Sequence, residues 1–191
     1  MPRDTTRRAE LAEAATDHVL VHGLIGLSLR PLAEALGTSD RMLLYHFAGK
    51  DDLVATVLRT ASDRSVAEVR ALAPSPGVRR AVLDLWRAAT AEQLGRCQRL
   101  YVEAAALGLL GREPYASVVA EANERWVRAL ADHLVASGAR RREARRAVAL
   151  VDATFMGLQL DLPLDPTSPA IRRVVRDVAA AAAVVAGQGS A

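Results

Sequence analysis

Hydrophobic residues recur along the chain at intervals of three and four, which is the spacing of amphipathic helices. Glycine or proline separates most of these stretches and predicts where the helices end. No stretch alternates hydrophobic and polar residues between turn signals, as a half-buried strand would. The longer predicted helices cover residues 7–22, 50–72, 78–94, 96–110, 114–137, 141–160 and 169–186. With two shorter helices described next, the pattern predicts an all-α protein of about nine helices.

The first short helix lies between the first two long ones. Its apolar residues Leu29, Ala33 and Leu36 share one face. Ser28 precedes them and is predicted to be the N-cap, because a serine oxygen can accept from a free N–H of the first turn. Gly37 follows and is predicted to end the helix, since glycine readily adopts the left-handed conformation of a C-terminal cap.

The second short helix follows within about one turn of chain. Ser39 is its predicted N-cap, and Leu43 and Phe47 share a face four residues apart. Its other faces are mostly polar. Two short helices joined so tightly must cross steeply, so residues of about 28–47 are predicted to form a helix-turn-helix whose second helix can enter a DNA major groove.

This segment resembles the DNA-binding domain of the TetR family of bacterial repressors. The resemblance covers about residues 4–64. It rests first on the small residue Ala33, four positions before the turn residue Gly37, and on Ser39, which opens the second helix. It rests also on the end of that helix and the start of the next one: Leu43, Tyr45-His46-Phe47 and Lys50-Asp51-Asp52-Leu53. Many members of the family have tyrosine where this chain has Leu44, so the match departs from the family there.

The resemblance implies which residues contact DNA. In the family these contacts come from the start of the first motif helix, from the recognition helix, and from the lysine that opens the following helix. The corresponding residues here are Ser28, Arg30, Thr38, Ser39, Asp40, Arg41, Met42, Leu44, Tyr45, His46 and Lys50. Arg30 can reach guanine in the major groove, whereas Tyr45, His46 and Lys50 can hold phosphates.

The resemblance also implies a second domain, residues 65–191, that binds an effector and forms dimers. The expected protein is a homodimeric repressor that binds a pseudo-palindromic double-stranded operator and is released by a small hydrophobic ligand. Candidate ligand-binding residues are Trp86, Leu100, Tyr101, Trp126, Asp152, Phe155 and Met156. For each aromatic or aliphatic residue singly, packing in a helical core is the more common role, and Asp152 could equally make a simple interhelical hydrogen bond.

The last two long helices, residues 141–160 and 169–186, are the predicted dimer-forming elements. Both have apolar stripes at alternating three- and four-residue spacing together with small residues that permit close approach. The stripes are Ala144, Val148, Val151, Phe155 and Leu158 on the first, and Ile171, Val174, Val178, Ala181 and Val185 on the second. Packing within one subunit would explain the same pattern, but a four-helix bundle with a second copy also doubles the length of DNA that is contacted.

The charge distribution does not favour DNA binding. The net charge is +3, yet residues 1–70 contain nine Lys or Arg and ten Asp or Glu, so the positive surplus lies in residues 71–191. A DNA-binding domain commonly carries a basic patch. A few well-placed cations and helix N-termini would have to hold the phosphates instead.

Other site chemistries find little support in the sequence. His18 and His22 have the spacing of two metal ligands on a helix, but no cysteine or further histidine lies nearby, which favours a structural role. No phosphate-binding glycine loop and no serine or cysteine nucleophile motif is present. We therefore expect no cofactor, no metal and no enzymatic activity. The single cysteine, Cys97, and the lack of a signal peptide or membrane-spanning stretch indicate a cytoplasmic protein without membrane contact.

Two alternatives remain open at the level of the sequence. The chain could be an all-α small-molecule-binding protein or enzyme in which the helix-turn-helix is only structural, which the charge of residues 1–70 favours. It could also be a DNA-binding regulator without an effector. The sequence leaves open the operator, the effector and the choice between repression and activation.

Overall fold

The computed structural model describes residues 2–188, with side chains from Thr5 onward. Within these residues the chain forms nine α-helices and no strand, which confirms the predicted all-α fold. The helices are α1 (Pro2–His22), α2 (Leu29–Ala35), α3 (Asp40–His46), α4 (Lys50–Ala71), α5 (Val78–Ala89), α6 (Glu92–Leu109), α7 (Tyr115–Ala136), α8 (Arg141–Asp161) and α9 (Pro169–Val185). No helix in this part of the chain has the length and apolar content needed to cross a membrane.

The start of α1 and the break between α5 and α6 differ from the prediction, since α5 ends at Ala89 and α6 begins at Glu92. Helix α1 begins at Pro2 rather than at residue 7. Gly95 was predicted to separate two helices but lies inside α6, where its N–H donates to the Ala91 carbonyl at 2.7 Å. A single glycine costs a helix only about 1 kcal/mol. Burial of the flanking Leu94 and Cys97 side chains outweighs that cost.

The chain divides into two compact units. The first holds the residues up to 65 together with residues 96–123, and the second holds residues 66–95 together with the chain from 124 onward. Helices α4, α6 and α7 therefore each contribute residues to both units. The predicted functional domains, residues 4–64 and 65–191, are a division by role and remain a prediction.

In the first unit, α1 packs against both α2 and α3. Its contact stripe is the predicted one, because Leu11, Ala15 and Val19 are buried. Leu24, in the connection to α2, is buried as well. These residues form the apolar base on which the two short helices rest.

In the second unit, α9 packs against α5 and α8. The predicted stripe of α8 lies in the core of this subunit: Ala144, Val148, Val151, Phe155 and Leu158 are all buried. On α9, Ile171 and Val178 are buried as predicted, but Val174 and Ala181 are exposed because the buried face has turned toward Val175, Ala179 and Ala182. The predicted stripe of α8 is thus a packing surface within the subunit rather than one free to meet a second copy.

A different apolar stripe faces outward from the same two helices. We call it the outer stripe; it comprises Leu150, Ala153, Gly157 and Leu160 of α8 with Val174, Ala181 and Val184 of α9, all of them exposed. On α8 the spacing is three, four and three residues, which keeps these positions on one line along the helix. Glycine and alanine at its centre would allow another helix to approach closely.

Candidate functional site

Helix α3 presents its polar side outward. Leu43 and Phe47 are almost completely buried and anchor the helix. The exposed residues are Asp40, Arg41, Met42, Leu44 and Tyr45. Leu44, the position that departs from the family pattern, is 48% exposed and does not turn into the core. The outer surface of α3 is therefore free to contact a ligand as large as DNA.

The turn between α2 and α3 is built by local sequence. Gly37 has φ of +63°, the left-handed conformation that glycine adopts at low cost. The Gly37 N–H donates to the Glu34 carbonyl at 3.1 Å and the Thr38 N–H to the Ala33 carbonyl at 2.9 Å. This pair of hydrogen bonds is the Schellman arrangement and ends α2 sharply. The predicted stop at Gly37 is confirmed.

The two predicted N-caps behave differently. The Ser39 hydroxyl accepts a hydrogen bond from the Met42 N–H at 3.2 Å, so Ser39 caps α3 as expected. Ser28 has the extended backbone of an N-cap, but its side chain makes no capping hydrogen bond. Ser28 therefore precedes α2 as predicted, but the predicted hydrogen bond from its hydroxyl to the first turn is wrong.

Arg8 of α1 fixes the end of α3, a role that the sequence does not reveal. Its Nε donates to the His46 carbonyl at 3.0 Å, and its guanidinium lies over the Phe47 ring, 4.8 Å from the centroid. Its Nη2 donates to both oxygens of the Asp52 carboxylate, at 3.2 and 3.0 Å. Asp52 also accepts from the Ala48 N–H at 3.0 Å. One arginine thus joins α1 to the last turn of α3 and the first turn of α4.

The ionisation of Asp52 reflects this environment. Partial burial acts to raise the pKa of its carboxyl group, but the hydrogen bond from Ala48 and the hydrogen bond and charge of Arg8 act to lower it, with a further contribution from Arg59. The net effect is a pKa below the ordinary aspartate value. Asp52 is therefore ionised at neutral pH and holds Arg8 in place.

The cations predicted to contact DNA are held to different degrees. Arg30 pairs with Glu34, four residues along α2, and its side chain is 84% exposed. Arg41 is exposed on α3. Lys50 donates through Nζ to the Leu27 carbonyl, which fixes the position of its ammonium group at the start of α4. All three charges remain accessible from solvent.

Tyr45 and His46 close the exposed surface at the end of α3. Tyr45 is 68% exposed, and its ring meets the His46 ring edge to face with centroids 5.1 Å apart. His46 is half-buried. The phenol hydroxyl therefore stands at the outer edge of the surface, where a phosphate could reach it.

The predicted ligand-binding residues fall into both units. Trp86, Trp126, Asp152, Phe155 and Met156 belong to the second unit, whereas Leu100 and Tyr101 belong to the first. In the second unit the Trp86 and Phe155 rings meet edge to face with centroids 4.9 Å apart. Trp86 and Trp126 pack against the same core cluster that contains Phe155. The structure thus groups three of the predicted aromatic residues.

Asp152 is the polar group of this aromatic cluster. Its Oδ1 accepts a hydrogen bond from the Trp126 indole N–H at 2.8 Å. Burial raises the pKa of the carboxyl group and the indole hydrogen bond only partly opposes this, so the net pKa lies above the ordinary aspartate value. The interhelical hydrogen bond that the sequence left open is present, and it ties α7 to α8.

The two histidines with metal-ligand spacing lie side by side. The His18 and His22 ring centroids are 4.3 Å apart, and burial together with the His22 charge lowers the pKa of His18. Both line a cavity of ≈ 160 Å³ with residues of the α1–α2 connection. Within residues 2–188, no group of three or more histidine, cysteine or acidic side chains is placed to hold a metal ion.

The chain matches no protein-family model and no curated protein at the level of sequence. A TetR-family transcriptional regulator from a Rhodococcus species aligns with 95% of this chain and 98% of its own length, with a TM-score of 0.72 and 22% identity. This is the TetR-family fold. The resemblance that the helix-turn-helix residues indicated is thereby confirmed for the fold of the whole chain.

Two further solved structures are slightly more similar to this chain in sequence. A protein described as a transcriptional regulator from Streptomyces coelicolor A3(2) has 26% identity and a TM-score of 0.68, and the alignment covers 93% of this chain and 98% of that one. The multidrug-binding protein EbrR in complex with ethidium has 25% identity and a TM-score of 0.65, with the same coverage. Both alignments extend well beyond the helix-turn-helix into the second unit.

Proposed function

We propose that this chain is a sequence-specific DNA-binding transcriptional regulator that acts as a homodimeric repressor in the cytoplasm and responds to a small molecule. The observation that carries the proposal is the exposed outer surface of α3, which is anchored through Leu43 and Phe47 and held at its end by Arg8. A helix fixed so firmly yet left uncovered is suited to insertion into a major groove. The protein acts by binding rather than by catalysis.

In this proposal the exposed side chains divide into two groups. Arg30 and Arg41 contact guanine, Met42 and Leu44 contact thymine methyl groups, and Asp40 accepts from cytosine N4. The remaining residues position the protein on the backbone through phosphates: Ser28, Thr38, Ser39, Tyr45, His46 and Lys50. Because few cations are involved, affinity should depend less on salt than for a strongly basic domain.

The outer stripe is the proposed homodimer interface. Leu150 and Leu160 are 37% and 58% exposed, and Val184 is 58% exposed. Their alignment on two helices that pack together supports a four-helix bundle with a second copy. Two copies would present two recognition helices to a pseudo-palindromic operator.

The proposed effector binds in the second unit near Asp152. A carboxylate whose ionised form is disfavoured by burial gains from a positively charged partner. Trp86, Trp126 and Phe155 supply aromatic faces that attract cations. We therefore expect a hydrophobic, positively charged effector, and the binding of ethidium, itself a cation, by EbrR agrees with this. Met156, which also lies in the second unit, completes the proposed set, whereas Leu100 and Tyr101 belong to the first unit and are left out of it.

The test is DNA binding to the region upstream of the protein's own coding sequence. Fluorescence anisotropy should show saturable binding at physiological salt, tighter by roughly 1000-fold than binding to unrelated DNA. The double variant Arg30→Ala, Tyr45→Phe should lose most of that preference. Arg128→Ala, which removes an arginine from an exposed ion pair on α7, is the matched control and should bind as the wild type does. A folded wild-type dimer without preference for any upstream fragment would contradict the proposal.

A further inference from the structure

Glu103 of α6 holds the segment that leads into the helix-turn-helix. Its Oε2 accepts hydrogen bonds from the Leu24 N–H at 2.7 Å and from the Ile25 N–H at 2.9 Å. These two N–H groups lie just beyond the end of α1, in a connection that forms no regular helix. One carboxylate oxygen thus binds two consecutive backbone groups that stand 78 and 79 residues away in sequence.

The backbone of the connection is shaped around this carboxylate. Gly23 has φ of +86°, and a Cβ atom at Gly23 would lie 3.3 Å from both carboxylate oxygens of Glu103. The Gly23 N–H donates to the Val19 carbonyl at 2.8 Å and so ends α1. The chain therefore turns directly at Glu103 and continues into α2. Leu24, whose N–H is bound, is itself buried.

The contact is also open to water on one side. Glu103 is half-buried and lines a cavity of ≈ 220 Å³ together with His22, Arg96 and Arg99. A contact that water can reach is able to break and form again without unfolding the core. This separates it from the packing of α1 on α2 and α3, which is apolar and buried.

We propose that Glu103 is a positioning residue that couples α6 to the helix-turn-helix. The contact sets where the chain enters α2, and thus how α2 and α3 are held relative to α6. Loss of the contact would therefore disturb the exposed surface of α3 that the proposed function uses. This inference rests on the proposed function and adds to it a residue outside the helix-turn-helix on which DNA binding depends.

The test compares two substitutions of similar size. In Glu103→Gln the amide oxygen can still accept both N–H groups, whereas Glu103→Met keeps the length of the side chain but removes the acceptor. We expect Glu103→Met to lower affinity for the upstream operator about tenfold. Glu103→Gln should retain most of the wild-type affinity. Glu124→Gln, which alters only an exposed ion pair of α7, is the matched control. Affinities are measured well below the unfolding temperature, so that a loss of stability alone would leave them unchanged.

A second measurement does not depend on DNA. In Glu103→Met, amide hydrogen exchange should accelerate at residues 24 and 25 and across residues 29–47, and in Glu103→Gln it should not. Exchange that accelerates only at residues 24 and 25, or operator affinity equal to that of the wild type in Glu103→Met, would overturn the inference. If the wild type itself shows no operator preference, the proposed function has failed, and the exchange data alone decide whether Glu103 positions the motif.

Discussion

At the scale of single residues, Arg8 shows how much the position of α3 depends on a side chain from another helix. We expect Arg8→Ala to lower the free energy of unfolding by roughly 1–2 kcal/mol, because charge-assisted hydrogen bonds to His46 and Asp52 are lost from a partly exposed site. Operator affinity should fall as well, since the end of α3 loses its support. Chemical denaturation and anisotropy measure the two effects.

The neighbouring residue supplies the control for Arg8. Arg7 makes an exposed ion pair with Glu10 in the next turn, so Arg7→Ala should change stability by less than about 0.5 kcal/mol. The pKa of Asp52 is lowered in the folded state. The stabilisation that its ionised carboxylate provides is therefore fully present above the ordinary aspartate pKa of about 4 and is lost as the pH falls below it. The difference between wild type and Arg8→Ala should therefore shrink in acid. Equal effects of the Arg7 and Arg8 variants would contradict this account.

Asp152 illustrates the opposite case, a residue that costs stability. Its pKa is raised by burial, so the folded state disfavours the charge, and the cost is present once the pH exceeds both pKa values. Asp152→Asn can keep the hydrogen bond from Trp126 without that charge. We expect the thermal midpoint at pH 7 to rise by roughly 2–4 °C, while stabilisation by a cationic probe such as ethidium, measured by calorimetry, disappears. A lower midpoint would show that the charge has a favourable partner.

At the scale of elements, the two motif helices offer a matched pair of serines. Ser39 caps α3 through its hydroxyl, so Ser39→Ala should cost about 1 kcal/mol and loosen the recognition helix. Ser28 stands at the same position before α2 without a side-chain cap, so Ser28→Ala should cost little. Thermal denaturation of the two variants checks this difference. A larger loss for Ser28→Ala would mean that its hydroxyl acts in a way that the structure does not show.

The same elements show what the sequence could and could not predict. Gly37 and Ser39 act through neighbours within five residues, so local patterns were sufficient to predict the turn and one of the caps. Arg8 and Glu103 act on residues 38 to 79 positions away, and no local spacing reveals such contacts. Helical periodicity on α8 identified the side that is buried in the subunit. It could not assign a role to the opposite side, because alanine, glycine and leucine suit both a core and an interface.

At the scale of the whole molecule, we expect DNA recognition to depend on the proposed dimer. The outer stripe exposes leucine and valine side chains to water on two adjacent helices, and a second copy would bury them. We expect Leu150→Glu with Leu160→Glu to give a folded monomer in analytical ultracentrifugation, because opposing copies would bring buried charges together. Helical content by circular dichroism should stay the same, since both side chains point away from the core.

The consequence for DNA binding separates a dimeric reader from a monomeric one. Each recognition helix spans only part of an operator, so loss of the second copy should weaken specific binding by roughly 100-fold or more. Leu109→Glu is the control, because Leu109 is 89% exposed but lies on α6 and is not part of the outer stripe. It should remain dimeric and bind normally. A monomeric Leu150, Leu160 variant that still binds the operator with wild-type affinity would show that one helix-turn-helix is sufficient. Dimer formation through the outer stripe would then not be required for DNA binding.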